Sequence, residues 1–286
     1  MALVTPFTME GAVDYNSLTG IITNIKNGGA DYLVALGTTS ETPALDRDEK
    51  KKILNHILKI ADNRIPVVLG IGGNNTLSVV NEIKQTDFSS IAALLSVTPY
   101  YNRPSQEGLY NHYVNIADSS PVPVILYNVP SRTGVNMEAA TSLRLAEHSN
   151  ISAIKEASGN IAQAMEILRS APCNFNVISG DDNMSLPLMA LGACGVISVA
   201  ANVVPFAVSA LIKAGLAQDF TKARKINNEL FPLFRSLFVE GNPVGIKAAL
   251  SVLGLSSPVV RMPLQQASEA LTSIIRFDLG KLNKTI

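Results

Sequence analysis

Short apolar, β-branched runs recur along this chain with helix-period segments between them, and that alternation limits the available folds more than any other feature. The runs fall at 2–6, 31–37, 66–71, 91–98, 122–128, 151–156, 175–179 and 195–200. Each of the first seven is followed by a segment whose apolar residues repeat with helical spacing, such as 46–61 and 160–169. Start and stop signals agree: Asp46 and Asn160 stand where helix N-caps belong, and Gly28-Gly29 stands where the first helix should stop. Near-continuous apolar strands separated by helices suit a parallel sheet covered on both faces. Eight such units predict an α/β fold, a (β/α)8 TIM barrel, which typically takes ~250 residues. The barrel is expected over 1–216. The remainder, 217–286, reads as a C-terminal helical region packed on the barrel, with helices at 220–239 and 244–253. No polar linker isolates a second domain.

Composition narrows the class. Basic and acidic side chains balance at 23 each, so nothing steers the chain toward nucleic acid or an anionic membrane. Apolar residues make up 47%, enough for a large core. No apolar run reaches the ~18 residues of a membrane span, and the start lacks the charged and apolar regions of a signal peptide. Two cysteines, Cys173 and Cys194, fit a reduced cytoplasmic chain better than a disulfide framework.

In a barrel of this kind chemistry is done where strands end and βα loops begin. The polar residues there are Thr5, Thr38, Thr39, Tyr100, Tyr101, Tyr127, Arg132, Lys155, Ser179, Asp181 and Asn202. Lys155 is the least expected, because it sits inside the apolar run Ile151-Ser152-Ala153-Ile154-Lys155-Glu156-Ala157. Burying an ammonium is costly, and burial favours the neutral amine, a nucleophile toward carbonyls. Taken alone, the segment reads more readily as a strand-end lysine with its head in solvent. Its company argues for more, since Tyr127-Asn128-Val129-Pro130-Ser131-Arg132-Thr133-Gly134 closes the preceding strand. A phenol, a guanidinium and an amine at neighbouring strand ends suit carbonyl chemistry on an acidic substrate. Gly37-Thr38-Thr39-Ser40 adds hydroxyls and backbone N–H groups that suit an anion, although such a turn is more often structural.

These residues carry a resemblance over essentially the whole length. Leu3-Val4-Thr5-Pro6-Phe7, Gly37-Thr38-Thr39-Ser40-Glu41 and Val97-Thr98-Pro99-Tyr100-Tyr101-Asn102-Arg103-Pro104 begin it. The Tyr127 to Gly134 segment, Ile154-Lys155-Glu156-Ala157-Ser158-Gly159, Ser179-Gly180-Asp181-Asp182 and Gly195-Val196-Ile197-Ser198 continue it. The chain resembles the dihydrodipicolinate synthase / N-acetylneuraminate lyase family of pyruvate-dependent class I aldolases, and is most similar to the synthase branch. Two departures stand out. Ser40 replaces the family's usual glycine, with an expected effect on the turn. The first strand begins almost at Met1, a shorter start than the pattern leads one to expect.

The resemblance implies roles. Lys155 would form a Schiff base with pyruvate, and the enamine would attack the aldehyde of L-aspartate 4-semialdehyde on the diaminopimelate route to lysine. Tyr127 would pass protons at the Schiff base, with Thr38 linking it to Tyr101. A phenol, with an ordinary pKa of ~10, is a poor base at neutral pH without such a relay. Thr39 would hold the pyruvate carboxylate and Arg132 that of the second substrate, a task suited to its fork. Gly180 and the carbonyl of Ile197 would line the pocket. Relatives carry the Tyr101 phenol into a neighbouring subunit's site, which implies a homo-oligomer, a tetramer built from dimers. Retained chemistry on a sugar acid is the alternative activity, and a pyruvate sensor without turnover is a third reading; Arg132 with Tyr100-Tyr101 favours the synthase.

Other motifs carry less. Asp181-Asp182 is a weak metal motif and Schiff-base chemistry needs no Lewis acid, so no metal and no cofactor are expected. His56, His112 and His148 are expected in separate helices as packing or surface residues. Gly70-Ile71-Gly72-Gly73-Asn74 lacks the second half of a nucleotide fingerprint and reads as a tight turn. Lys247, the rival nucleophile, lies in a helical stretch outside the barrel. The family's lysine-inhibition site maps onto Thr42, Pro43, Arg47, Lys50, Asn74, Ser78 and Tyr100. Sensitive relatives have histidine at the Lys50 position and glutamate at the Ser78 position, so this chain is expected to be insensitive or nearly so.

Overall fold

The computed structural model of the chain describes residues 1–282. Its strands are β1 (Leu33–Ala35), β2 (Val67–Gly70), β3 (Ala93–Val97), β4 (Val124–Asn128), β5 (Ile151–Glu156) and β6 (Asn176–Ser179). The first helices are α1 (Tyr15–Asn27), α2 (Arg47–Ala61), α3 (Thr76–Gln85), α4 (Gln106–Ser119), α5 (Pro130–Thr133) and α6 (Ala139–Ala146). They are followed by α7 (Ile161–Ser170), α8 (Ser185–Ala190), α9 (Pro205–Leu216), α10 (Phe220–Ser236), α11 (Val244–Val252) and α12 (Glu269–Leu282). These elements form two compact units, one of Met1–Pro66 with the chain from Ser198 onward, the other of Val67–Ile197. Among the described residues no helix is long and apolar enough to cross a membrane.

The second unit is a parallel α/β sheet. Strands β2 to β6 lie side by side in chain order, each parallel to the next. Every residue of β4 is buried, and all of β5 but Ser152. Burial on both faces explains why these strands read as continuous apolar runs rather than alternating ones. Asn160 caps α7 by accepting from the Gln163 N–H, as its position in the sequence predicts. The expected strand at 195–200 contracts to one bridge, Ser179 with Val196. Val199 is already helical there, and a 3-10 turn over Ala200–Asn202 follows at once.

In the first unit α2 shows how local sequence sets an element. Asp46 accepts from the Glu49 N–H while the Glu49 carboxylate accepts from the Asp46 N–H, a reciprocal capping box. Ile53, Ile57 and Ala61 recur every fourth residue and are buried, so one stripe faces the core. The expected strand at 2–6 is also a single bridge, Ala2 with Val34. Pro6 has no N–H for a ladder, and its carbonyl accepts instead from the Asp14 N–H at 2.9 Å. Ala2 donates at 2.9 Å to the Ser198 carbonyl, and Asn202 clamps both Val4 N–H and Ala2 carbonyl. Strand β1 is shorter than 31–37 because Leu36 turns to a φ of 54°. Beyond residue 217 the described chain carries α10, α11 and α12; α10 stops at Ser236 rather than 239, and the turn after it uses Gly241 at a φ of 90°.

One smaller expectation is corrected. His148 lies just past the end of α6, not in a helix, with Nε2 at 3.1 Å from Asp118. Ser40 is buried and its hydroxyl donates at 2.7 Å to the Leu3 carbonyl, an anchor that glycine would lack.

Candidate active site

The second unit brings Lys155 and Tyr127 together. They are register partners across β4 and β5, so both side chains leave the same face of the sheet. The Lys155 Nζ stands 4.1 Å from the centre of the Tyr127 ring, and both residues are buried. An amine over a phenol ring, screened from bulk water, has a nucleophile and a proton carrier in one place.

The next residues of the two strands, Asn128 and Glu156, are also partners and point to the opposite face. There the Glu156 carboxylate accepts from Asn128 Nδ2 at 3.1 Å, Gln163 Nε2 at 3.3 Å and the Ser158 N–H at 2.6 Å. Asn128 in turn accepts from the Met137 N–H at 3.0 Å, and Asn136 donates to Gln163 at 2.7 Å. A buried carboxylate is tolerated because its lone pairs are satisfied. A one-residue slip would break this network, so it pins the register that pairs Lys155 with Tyr127. Sequence reasoning missed these supporting residues; Glu156 beside Lys155 in an apolar strand was the available signal.

Arg132 and Tyr101 belong to linked loops of the same unit. Pro130 opens α5 and Gly134 closes it in the left-handed region, with its N–H donating to the Pro130 carbonyl at 2.9 Å. Glycine suits this position for its φ of 75°; the nearest atoms to a side chain there belong to the flexible end of Arg103, which can move aside. The Tyr101 N–H points to the Thr133 carbonyl at 3.4 Å, tying its loop to α5. Tyr101 and Arg103 both have positive φ, of 75° and 46°, and such strain persists only where surroundings enforce it. The Tyr101 side chain is 90% exposed.

Gly180 and Ile197 flank the end of β6. The Gly180 N–H donates to the Glu156 carbonyl at 2.7 Å, and any Cβ at Gly180 would overlap that of Ala157. Ile197 is fully buried and its N–H donates to the Ser179 carbonyl at 2.9 Å. Burial pushes the Asp181 carboxyl up to about 6, with the positive charge of Lys155 opposing the rise. His112 moves the other way, pulled down to about 4 by burial, with Nδ1 at 2.8 Å from the Thr76 hydroxyl.

Thr38 and Thr39 lie in the first unit, in a 3-10 turn over Thr38–Ser40. The Ser40 N–H donates to Gly37 and that of Glu41 to Thr38, at 3.1 and 3.2 Å. Thr39 is buried and its hydroxyl accepts from Asn242 Nδ2 at 2.9 Å, a partner that sequence alone did not suggest. Asn202, collected with the polar strand-end residues, is spent on the backbone of Ala2 and Val4. Lys247 is fully buried in α11, paired with Glu41 and donating at 2.9 Å to the Val259 carbonyl.

Comparison with known proteins is consistent throughout. The chain matches the profile of the Dihydrodipicolinate synthetase family over residues 1–279. The 4-hydroxy-tetrahydrodipicolinate synthase of Parabacteroides distasonis is 50% identical over 265 residues, covering 92% of this chain and 89% of that protein. Among solved structures, the dihydrodipicolinate synthase of Aquifex aeolicus is similar with a TM-score of 0.95 at 42% identity, covering 99% of this chain and 97% of that one. The chloride-inhibited dihydrodipicolinate synthase of Acinetobacter baumannii, complexed with pyruvate, gives a TM-score of 0.96 at 39% identity and the same coverage. A match of this extent, on a sheet that pairs a buried lysine with a tyrosine, leaves one assignment: the chain belongs to the dihydrodipicolinate synthetase family.

Proposed function

We propose that this chain is a lyase that condenses pyruvate with L-aspartate 4-semialdehyde, the reaction of the 4-hydroxy-tetrahydrodipicolinate synthases. The observation that carries the reading is the register pairing of Lys155 with Tyr127 on buried strands. Lys155 attacks the ketone carbon of pyruvate, and loss of water gives the imine. Loss of a methyl proton gives the enamine, whose carbon bonds to the aldehyde of the second substrate. Tyr127 carries the protons of these steps, relayed through Thr38 and Tyr101. Thr39 holds the pyruvate carboxylate, Arg132 that of the semialdehyde, and Gly180 and Ile197 line the pocket. No cofactor enters the scheme. An assay with pyruvate and the semialdehyde, run beside cleavage of N-acetylneuraminate and keto-deoxy sugar acids, tests it. Turnover of a sugar acid in place of the condensation would overturn it; the names of the similar proteins and the Arg132 setting both disfavour that outcome.

Arg132 permits a sharper test. Its guanidinium suits the second carboxylate, so Arg132→Ala should raise the KM for the semialdehyde by tenfold or more, about the worth of a charge-assisted pair. Pyruvate binding should change little. Equal losses for both substrates would show that Arg132 serves neither carboxylate selectively.

The same reading extends to the assembly. The two-sided pairing of Met1 to Val4 and the Ser179–Val196 bridge support an eight-stranded (β/α)8 barrel over 1–216, with 217–286 as a helical addition. The exposed, strained Tyr101 supports a homo-oligomer in which it completes a neighbour's site, a dimer within a tetramer. Unpaired thiols at Cys173 and Cys194 support a cytoplasmic location, and the even balance of 23 basic and 23 acidic residues disfavours a nucleic acid or membrane partner.

Feedback by lysine should be absent or slight. Arg47 and Lys50 bring positive charge to positions that would meet a dicationic amino acid, and Ser78 cannot neutralise an ammonium. At ~4 Å, each like-charge contact opposes binding by about 1–4 kcal/mol. A lysine titration of the steady-state rate should show no half-inhibition below about a millimolar, within the usual range of metabolite control. Tighter inhibition would mean that other groups neutralise the effector.

A further inference from the structure

The least expected charge in the first unit is Lys247, which is completely buried and forms an ion pair with Glu41, itself 2% exposed. Its Nζ also donates to the Val259 carbonyl at 2.9 Å and lies 3.8 Å from the centre of the Phe7 ring. Burial pulls the Lys247 ammonium down to about 8, and the Glu41 carboxylate opposes that fall. Such a pair is a poor way to stabilise a fold, because desolvation offsets its attraction and apolar replacements often do as well. Glu41 is also held at a φ of 54°, a conformation that a non-glycine residue keeps only under constraint. Both costs fall on the residue that ends the Thr38-Thr39-Ser40 turn.

The constraint comes from α11 and the segment after it. The Glu41 carboxylate is held by Lys247 and by the Arg261 N–H at 2.9 Å, while its own N–H donates back to the Thr38 carbonyl at 3.2 Å. Five residues before Lys247, Asn242 donates to the Thr39 hydroxyl at 2.9 Å. A hydroxyl that accepts from an amide keeps its own proton for another acceptor, which is what a carboxylate needs. One short stretch of chain therefore holds both Thr39 and the residue that ends its turn.

We propose that Glu41 and Lys247, with Asn242, are positioning residues that set affinity for the keto-acid carboxylate by holding the Thr38-Thr39 turn in its binding geometry. The inference rests on the reading above in which Thr39 binds pyruvate. It assigns the ion pair to substrate binding rather than to the bond-making step, because none of its groups touches the reacting atoms in that reading.

The test compares wild-type protein with Glu41→Gln, which keeps shape and the acceptor for Arg261 but removes the charge. The pyruvate concentration giving half-maximal borohydride-trapped adduct, and the KM for pyruvate, should both rise about tenfold, the scale of a small misplacement in a site. Turnover at saturation and the KM for the semialdehyde should change less than about threefold, the signature of lost ground-state binding. Should that variant fail to fold, Glu41→Gln with Lys247→Met removes both charges together and leaves none unpaired. It should melt near the wild-type temperature and show the same rise in KM. A lowered melting temperature with unchanged pyruvate affinity would make the pair purely structural and overturn the inference alone. A wild-type protein that forms no adduct with pyruvate would overturn the reading of Thr39 and the inference together.

Discussion

Borohydride added with pyruvate should leave a pyruvate-derived adduct on Lys155 and on no other lysine. The amine stands over the Tyr127 ring at 4.1 Å, on the face of the sheet that carries the proposed proton carrier. Among the described residues Lys247 is the other buried lysine, but its Nζ is engaged by Glu41, the Val259 carbonyl and the face of Phe7, and it has no exposed surface. Lys155→Ala should abolish the adduct and lower turnover by about 10⁶-fold, the scale seen when a covalent nucleophile is removed. The variant should still fold, because removing a costly buried amine offsets the lost packing of its methylene stem. Peptide mapping decides the matter: an adduct on Lys247, or on no lysine, would remove the Schiff-base mechanism.

The proposed relay carries the second large effect. Tyr127→Phe, Thr38→Val and Tyr101→Phe should each lower turnover by about 10²–10⁴-fold, the range for losing one general acid–base group. Each replacement keeps the shape and deletes a hydroxyl. Links of one path act as a unit, so a double variant should lose little more than the worse single one. Effects that multiply would show independent roles and break the relay. The Tyr101 variant adds a distinction, since that side chain is exposed and the proposal gives it to a neighbouring site. Mixing Tyr101→Phe protein with Lys155→Ala protein should restore part of the activity, because hybrid pairs then contain one intact site.

Much of the candidate site was legible because its residues interrupt local patterns. Lys155 breaks an apolar strand, and Tyr127 stands one residue from the end of the strand before it; strand periodicity then places both on one face once the register is known. Helix starts were legible for the same reason, since the caps at Asp46 and Asn160 are local hydrogen bonds between neighbours in sequence. Strand lengths were less so. Runs 2–6 and 195–200 have the composition of strands, yet each makes only one bridge, because a ladder depends on the partner's backbone and on where proline or a helical residue intervenes.

By itself, the sequence determined the α/β alternation, the helix caps and the residue types available for carbonyl chemistry, all consequences of local periodicity and side-chain chemistry. Only the tertiary structure decided which supports act on them. The carboxylate of Glu156 receives Gln163 from the next helix, and Thr39 receives Asn242 from 203 residues away. The cation opposite Glu41 comes from α11, and the backbone N–H on its other oxygen from Arg261, 220 residues away. No local pattern encodes these partners. A buried polar group must be satisfied by whatever the fold brings within about 3 Å, and that is set by packing across the chain.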